Sequence, residues 1–230
     1  MTTFAMLLVP EMTQLDFTGP YEVFARCPQA QIQLVWKTRQ LVRTELGLSI
    51  QSTATLDEVS SADVLFVPGG RGINRLLNDE AVTAWAARVA RSARYVTATC
   101  TGALVLGAAG LLRGKRATTH WTAREMLPEL GAVRTDERVV KDGNVITGGG
   151  VTAGIDFALT VAAEMYGPDV AQTIQLNIEY DPAPPFNSGH PDTARAEITE
   201  AFLERIAPRQ AERWAAVRQA AQRLGTGWAQ

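Results

Sequence analysis

The chain alternates short apolar runs with stretches of helical spacing. FAMLLV (Phe4–Val9) and the Val64–Val67 segment within Ala62–Gly70 are unbroken apolar runs of strand length. A strand covered on both faces reads this way, because neither side of its pleat meets water. IQLVWK (Ile32–Lys37) and YVTAT (Tyr95–Thr99) predict two more strands, and Leu41–Ser52 predicts a hairpin turning near Glu45–Gly47. Thr18-Gly19-Pro20 predicts a helix start with proline in the first turn. Asp79–Ala93 sets Val82, Trp85, Ala86 and Val89 on one helical face. Gly102–Leu112 is small or aliphatic nearly all round, which predicts a buried helix.

Further on, the pattern predicts a strand at Ala117–Thr119, a short helix at Thr122–Leu130 and a hairpin over Arg138–Thr147 with Asp142-Gly143 in its turn. Helices over Thr152–Tyr166 and Asp169–Glu179 follow. Alternating strands and helices imply a mostly parallel sheet with helices on both faces, a three-layer α/β sandwich. The core is expected to end near Tyr180, where DPAPPFNSGHPD begins. Residues 1–180 then form the core domain, and residues 181–230 a loop and helical appendage packed on it. Two amphipathic helices, Thr193–Ile206 and Pro208–Leu224, are expected in the appendage.

Composition narrows the function classes. At 46% hydrophobic and 20% charged residues the balance is that of a folded globular chain. With a net charge of -2 and no basic block, nucleic-acid and polybasic membrane partners are not expected. The first apolar run stops at Pro10, too short for a signal segment or a membrane span. Only two cysteines, Cys27 and Cys100, lie far apart, which suits free thiols in a reducing, cytoplasmic setting.

Cys100 stands where a strand turns into a helix, in Ala98-Thr99-Cys100-Thr101-Gly102. Small residues two before and two after fit a nucleophile elbow, and a helix N-terminus favours thiolate. The competing reading is an inert buried thiol, the reading that fits Cys27. Gly69 and Gly70 follow a strand and could present backbone N–H groups as an oxyanion hole, completed by the Thr101 N–H; a tight turn would use the same residues. Asp16, between Leu15 and Phe17, is either a desolvated acid with a proton to give or a solvated loop carboxylate. Gly149, within Gly148-Gly149-Gly150, could line the same pocket, and His120 is either a base or a packed histidine. His190, in His190-Pro191-Asp192, has no buried strand before it and reads as a surface turn.

The ordered set LDFTGPYEVF, DVLFVPGG, ATCTGALVLGAAGLL and ATTHW resembles the ThiJ/PfpI superfamily of cysteine enzymes, related to glutamine amidotransferases, over about residues 4 to 180. The resemblance implies a flavodoxin-like fold and a homodimer, with no metal and no organic cofactor. Protease-like members carry histidine directly after the cysteine; Thr101 stands there instead, which argues against a peptidase triad. Asp16, Cys100 and Thr101 together are similar to the members that add water to an isonitrile to give an N-substituted formamide. That likeness implies a small-molecule isonitrile substrate, attack by Cys100, proton transfer by Asp16, and Gly70 and Thr101 N–H groups holding the developing oxyanion. Two alternatives share the core: a glyoxalase- or deglycase-like enzyme acting on α-oxoaldehydes, and a redox- or ligand-sensing module. Regulators that fuse the core to a helix-turn-helix domain also exist, but only about fifty residues follow Tyr180, too few for the usual two-motif appendage.

Overall fold

The computed structural model describes residues 1–226. In chain order it contains β1 (Thr2–Leu7), α1 (Gln14–Phe24), β2 (Ala30–Trp36), β3 (Leu41–Arg43), β4 (Ser49–Gln51), β5 (Ala54–Thr55), β6 (Val64–Val67), α2 (Ile73–Leu76) and α3 (Glu80–Ala90). Then come β7 (Tyr95–Thr99), α4 (Gly102–Ala108), β8 (Arg116–Ala117), β9 (Val133–Arg134), β10 (Val139–Asp142), β11 (Val145–Gly148), α5 (Ala153–Tyr166), α6 (Pro168–Asn177) and α7 (Ala196–Leu224).

A seven-stranded sheet in the order β10-β11-β7-β6-β1-β2-β5 forms the centre. Its neighbours run parallel except for the β10–β11 hairpin at one edge. Every residue of β6 and β7 is buried, as continuous apolar strands require when helices cover both faces. On one face α1 and α5 pack together, their Phe24 and Phe157 rings 6.3 Å apart and meeting Phe4 and Phe66 of the sheet at 4.9 to 6.0 Å. On the other, α3, α4 and α7 pack together, with Trp85 fully buried and its indole N–H donated to the Val59 carbonyl at 2.9 Å. The sandwich and both hairpins match the sequence pattern, and no helix among the described residues is long and apolar enough to cross a membrane.

Three local expectations change. Helix α1 begins at Gln14, not at Thr18, so Pro20 lies inside it. Proline has no N–H to give the carbonyl four residues back, that of Asp16. Thr99 supplies the missing donor, its hydroxyl bonding Asp16 O at 3.2 Å, so the proline links α1 to the end of β7. The short helix expected at Thr122–Leu130 is two 3-10 turns, Trp121–Met126 and Pro128–Leu130. The two C-terminal helices are one continuous helix, α7, with Pro208 inside it. Ile206, Val217, Ala220 and Ala221 are its buried apolar residues, and it packs on α2, α4 and the Pro128–Leu130 turn.

Candidate active site

The turn between β7 and α4 consists of Cys100 and Thr101. Cys100 has φ +51°, a left-handed conformation that costs a non-glycine residue about 1–2 kcal/mol. Three bonds hold it there. Its N–H is shared between the carbonyls of Gly148 (3.0 Å) and Gly149 (2.8 Å), and its own carbonyl accepts from the Thr119 hydroxyl at 2.7 Å. Glycines clear the space on both sides. A Cβ on Gly102 would stand 2.2 Å from the Val67 carbonyl, and one on Gly69 would stand 2.9 Å from Cys100 Sγ. The nucleophile-elbow reading of the sequence thus has its geometry.

Asp16, in the first turn of α1, is 0% exposed, and Cys100 is 5% exposed. Neither carboxyl oxygen of Asp16 has an N–H or O–H partner among the described residues; the group it meets is the Cys100 thiol. Burial raises the carboxyl from 3.8 to about 7, against the hydrogen bond with the thiol and with help from the Glu45 carboxylate. Burial also pushes the Cys100 thiol well up, and Asp16 adds to the rise. The Thr101 N–H and the Arg213 guanidinium pull it back down. The helix N-terminus alone therefore does not make a resting thiolate. The two groups titrate as a pair that keeps a proton at neutrality, ready to be moved.

The remaining expected residues lie around this pair in altered roles. The Gly70 N–H is already committed: it donates to Thr101 Oγ1 at 3.0 Å, and that hydroxyl donates back to Gly70 O at 3.3 Å. Thr101 is thus a clamp on the Gly69-Gly70 turn, and the backbone donor facing the sulfur is its own N–H. Gly149 supports through its carbonyl, since its N–H is bound to Arg138 O at 2.8 Å. His120 is held neutral, its pKa lowered to about 4 by burial and by Arg213, Arg209 and Arg124. Its Nδ1 accepts from the Thr122 N–H at 3.3 Å, so the ring proton sits on Nε2. With its lone pair occupied, His120 offers a donor and not a base. The ring lines a cleft of ≈ 620 Å³ with Gly149, Gly150 and the tail loop carrying His190. His190 itself contacts Asp192, in line with the surface turn read from sequence.

The sequence reading missed Arg213. It is 4% exposed on α7, donates to Asn74 Oδ1 (2.9 Å) and Gln210 Oε1 (3.1 Å), and its charge acts on Cys100 and His120. A signal existed. Phe202, Ile206, Arg209, Arg213, Val217 and Ala220 follow one another at three- and four-residue steps, so two arginines occupy an otherwise apolar stripe. Among the described residues no group of three His, Cys, Asp or Glu side chains is placed to hold a metal ion.

A sequence profile of the DJ-1/PfpI family matches residues 3–164. The isonitrile hydratase of Pseudomonas putida is 53% identical over 202 residues, 88% of this chain and 89% of that protein. The HTH-type transcriptional regulator CdhR of Pseudomonas aeruginosa is 36% identical over 129 residues, 54% of this chain but 38% of the regulator. Among solved structures, a ThiJ/PfpI family protein from Pseudomonas syringae superposes with a TM-score of 0.91 at 42% identity, covering 94% of this chain and 90% of that one.

Proposed function

The chain belongs to the DJ-1/PfpI family, and from that premise we propose that it is an isonitrile hydratase, adding water to R–N≡C to give the formamide R–NH–CHO. The observation that carries the reading is the dry Asp16–Cys100 pair. An isonitrile needs a nucleophile and a proton delivered to the same carbon, and the pair holds both. Sulfur bonds to the terminal carbon while the proton shared with Asp16 passes to that carbon, giving the thioimidate R–N=CH–S. Asp16, now a carboxylate, takes a proton from water as the hydroxyl adds to the thioimidate carbon, and the imine nitrogen receives that proton. The tetrahedral R–NH–CH(OH)–S then collapses: the C–S bond breaks, the hydroxyl proton returns to the pair, and the formamide leaves. The Thr101 N–H steadies the sulfur as charge returns to it.

The test is direct. Purified protein is incubated with an alkyl isonitrile and, separately, with methylglyoxal. Formamide production that is lost in Cys100→Ala is expected; turnover of methylglyoxal alone would overturn the reading. The two free thiols support a reducing, cytoplasmic location. We also propose a homodimer, as the family resemblance implies, with the exposed Leu176 and Phe186 as residues whose burial on assembly is to be tested. Light scattering that gives a monomer mass at micromolar protein would remove that inference.

A further inference from the structure

Two clefts lie near the Cys100 end of the sheet. In the larger one, Arg124 and Arg138 have carboxylate partners, Asp136 and Asp156. The second, of ≈ 370 Å³, lies between the residue after Gly70 and helix α7 and is lined by Arg71, Arg205 and Arg209, with Glu212 and the apolar Phe202 and Ile206. Here the charge is not neutralised. Among the described residues, Arg71, Arg205, Arg209 and Arg213 make no ion pair, and the buried Nε of Arg209 has no hydrogen-bond partner. Arg213, one turn beyond Arg209 on the same face, is buried on neutral partners only, while Arg205 lies over the Phe202 ring at 5.3 Å.

Arg213 is buried and Arg209 half-buried beside it, so their guanidinium groups repel one another, and that cost is recovered when an anion enters. Inside the protein Arg213 acts on the Cys100 sulfur, which is a thiol at rest and gives the arginines no fixed anionic partner. A ligand that brings its own negative charge fits the rest.

From these observations we infer that the isonitrile carries a carboxylate on its substituent, bound by Arg209 with Arg71 and Arg205 at the mouth of the cleft. This rests on the hydratase reading and specifies its substrate class: an isocyano-carboxylic acid, converted to an N-formylamino acid. The planar fork of Arg209 suits a carboxylate in two-point contact, Phe202 and Ile206 supply an apolar wall, and the surplus positive charge draws the anion in.

The test compares isocyanoacetate with its methyl ester in steady-state kinetics. A preference for the acid in kcat/KM of about tenfold or more is expected, the scale of one charge-assisted hydrogen bond. Arg209→Met should collapse the acid-to-ester ratio, Arg209→Lys should keep part of it, and added salt should weaken it. An ester preference in the native protein, or the same ratio in native protein and Arg209→Met, overturns the inference. The second outcome would mean that the arginines serve the sulfur alone, slowing both substrates equally when removed. If neither isonitrile is hydrated, the hydratase reading fails on its own. The anion site is then read by protection of Cys100 from iodoacetamide. N-formylglycine should protect where its methyl ester does not, and Arg209→Met should abolish the difference; equal protection by acid and ester overturns the inference.

Discussion

Replacing Asp16 with asparagine should remove activity and, above neutral pH, make the protein more stable. The carboxyl is 0% exposed and burial raises it from 3.8 to about 7. The folded protein therefore binds this proton more tightly than the unfolded chain does. Its stabilising effect is fully present below 3.8 and is lost as pH rises through about 7. Between pH 5 and pH 7 the unfolded chain is ionised at this position while the folded one is not. Two pH units at ~1.36 kcal/mol each give about 2–3 kcal/mol of stability lost over that interval. Asparagine has no such slope. Its amide meets the same surroundings without an N–H or O–H partner, a pH-independent cost of about 1–3 kcal/mol. Urea unfolding of both proteins at pH 5, 6, 7 and 8, at matched ionic strength, reads the difference directly. The stability of Asp16→Asn relative to native protein should grow by about 2–3 kcal/mol from pH 5 to pH 8. A difference that stays flat across the series would refute the raised carboxyl and the proton supply built on it.

Further substitutions test the geometry around the sulfur. Cys100→Ala and Cys100→Gly should both be inactive, but the glycine variant should unfold at higher urea by about 1 kcal/mol, because only it relieves the left-handed backbone. Gly69→Ala should lose turnover and stability together, since its Cβ would stand 2.6 Å from Thr101 N and 2.7 Å from Cys100 Cβ; a crystal structure with the turn unmoved would contradict this. Thr101→Val leaves the buried Gly70 N–H without its acceptor and should cost about 1–3 kcal/mol in urea unfolding, whereas Thr101→Ser should stay close to native.

How far the sequence could be read depended on the range of the interaction. The strands β6 and β7 announce themselves because burial on both faces leaves an unbroken apolar run. Cys100 was legible for a local reason too: Ala98 and Gly102 are the small flanks that a tight elbow demands. Pro20 misled, because a proline ordinarily marks the first turn of a helix; it is accommodated six residues into α1 by a hydroxyl from Thr99, a partner remote in sequence. Pro208 split α7 on paper for the same reason. Thr101 as a clamp and the committed Gly70 N–H depend on how two loops meet, which no local pattern encodes. Arg213 left a trace as a charge in an apolar stripe, but its target lies on another element of the fold.

Three features of the site each work against folding: the left-handed Cys100, the buried Asp16 carboxyl with no N–H or O–H partner among the described residues, and Arg213 buried on neutral groups. Each is held by contacts from elsewhere in the chain. Asp16 depends on α1 being fixed to β7 through Thr99, Cys100 on the Gly148 and Gly149 carbonyls after β11, and Arg213 on Asn74 of α2. These anchors are well separated in sequence, so the site forms only once the sheet is complete and α7 has docked. Apart, an acid at about 7 in an apolar wall and a thiol pushed upward would be two idle protonated groups. Brought together beneath the Arg213 charge, they share a proton that neither holds in water at neutral pH in the same way. The strain is thus what equips one sulfur to add to a carbon that must take up a proton in the same step.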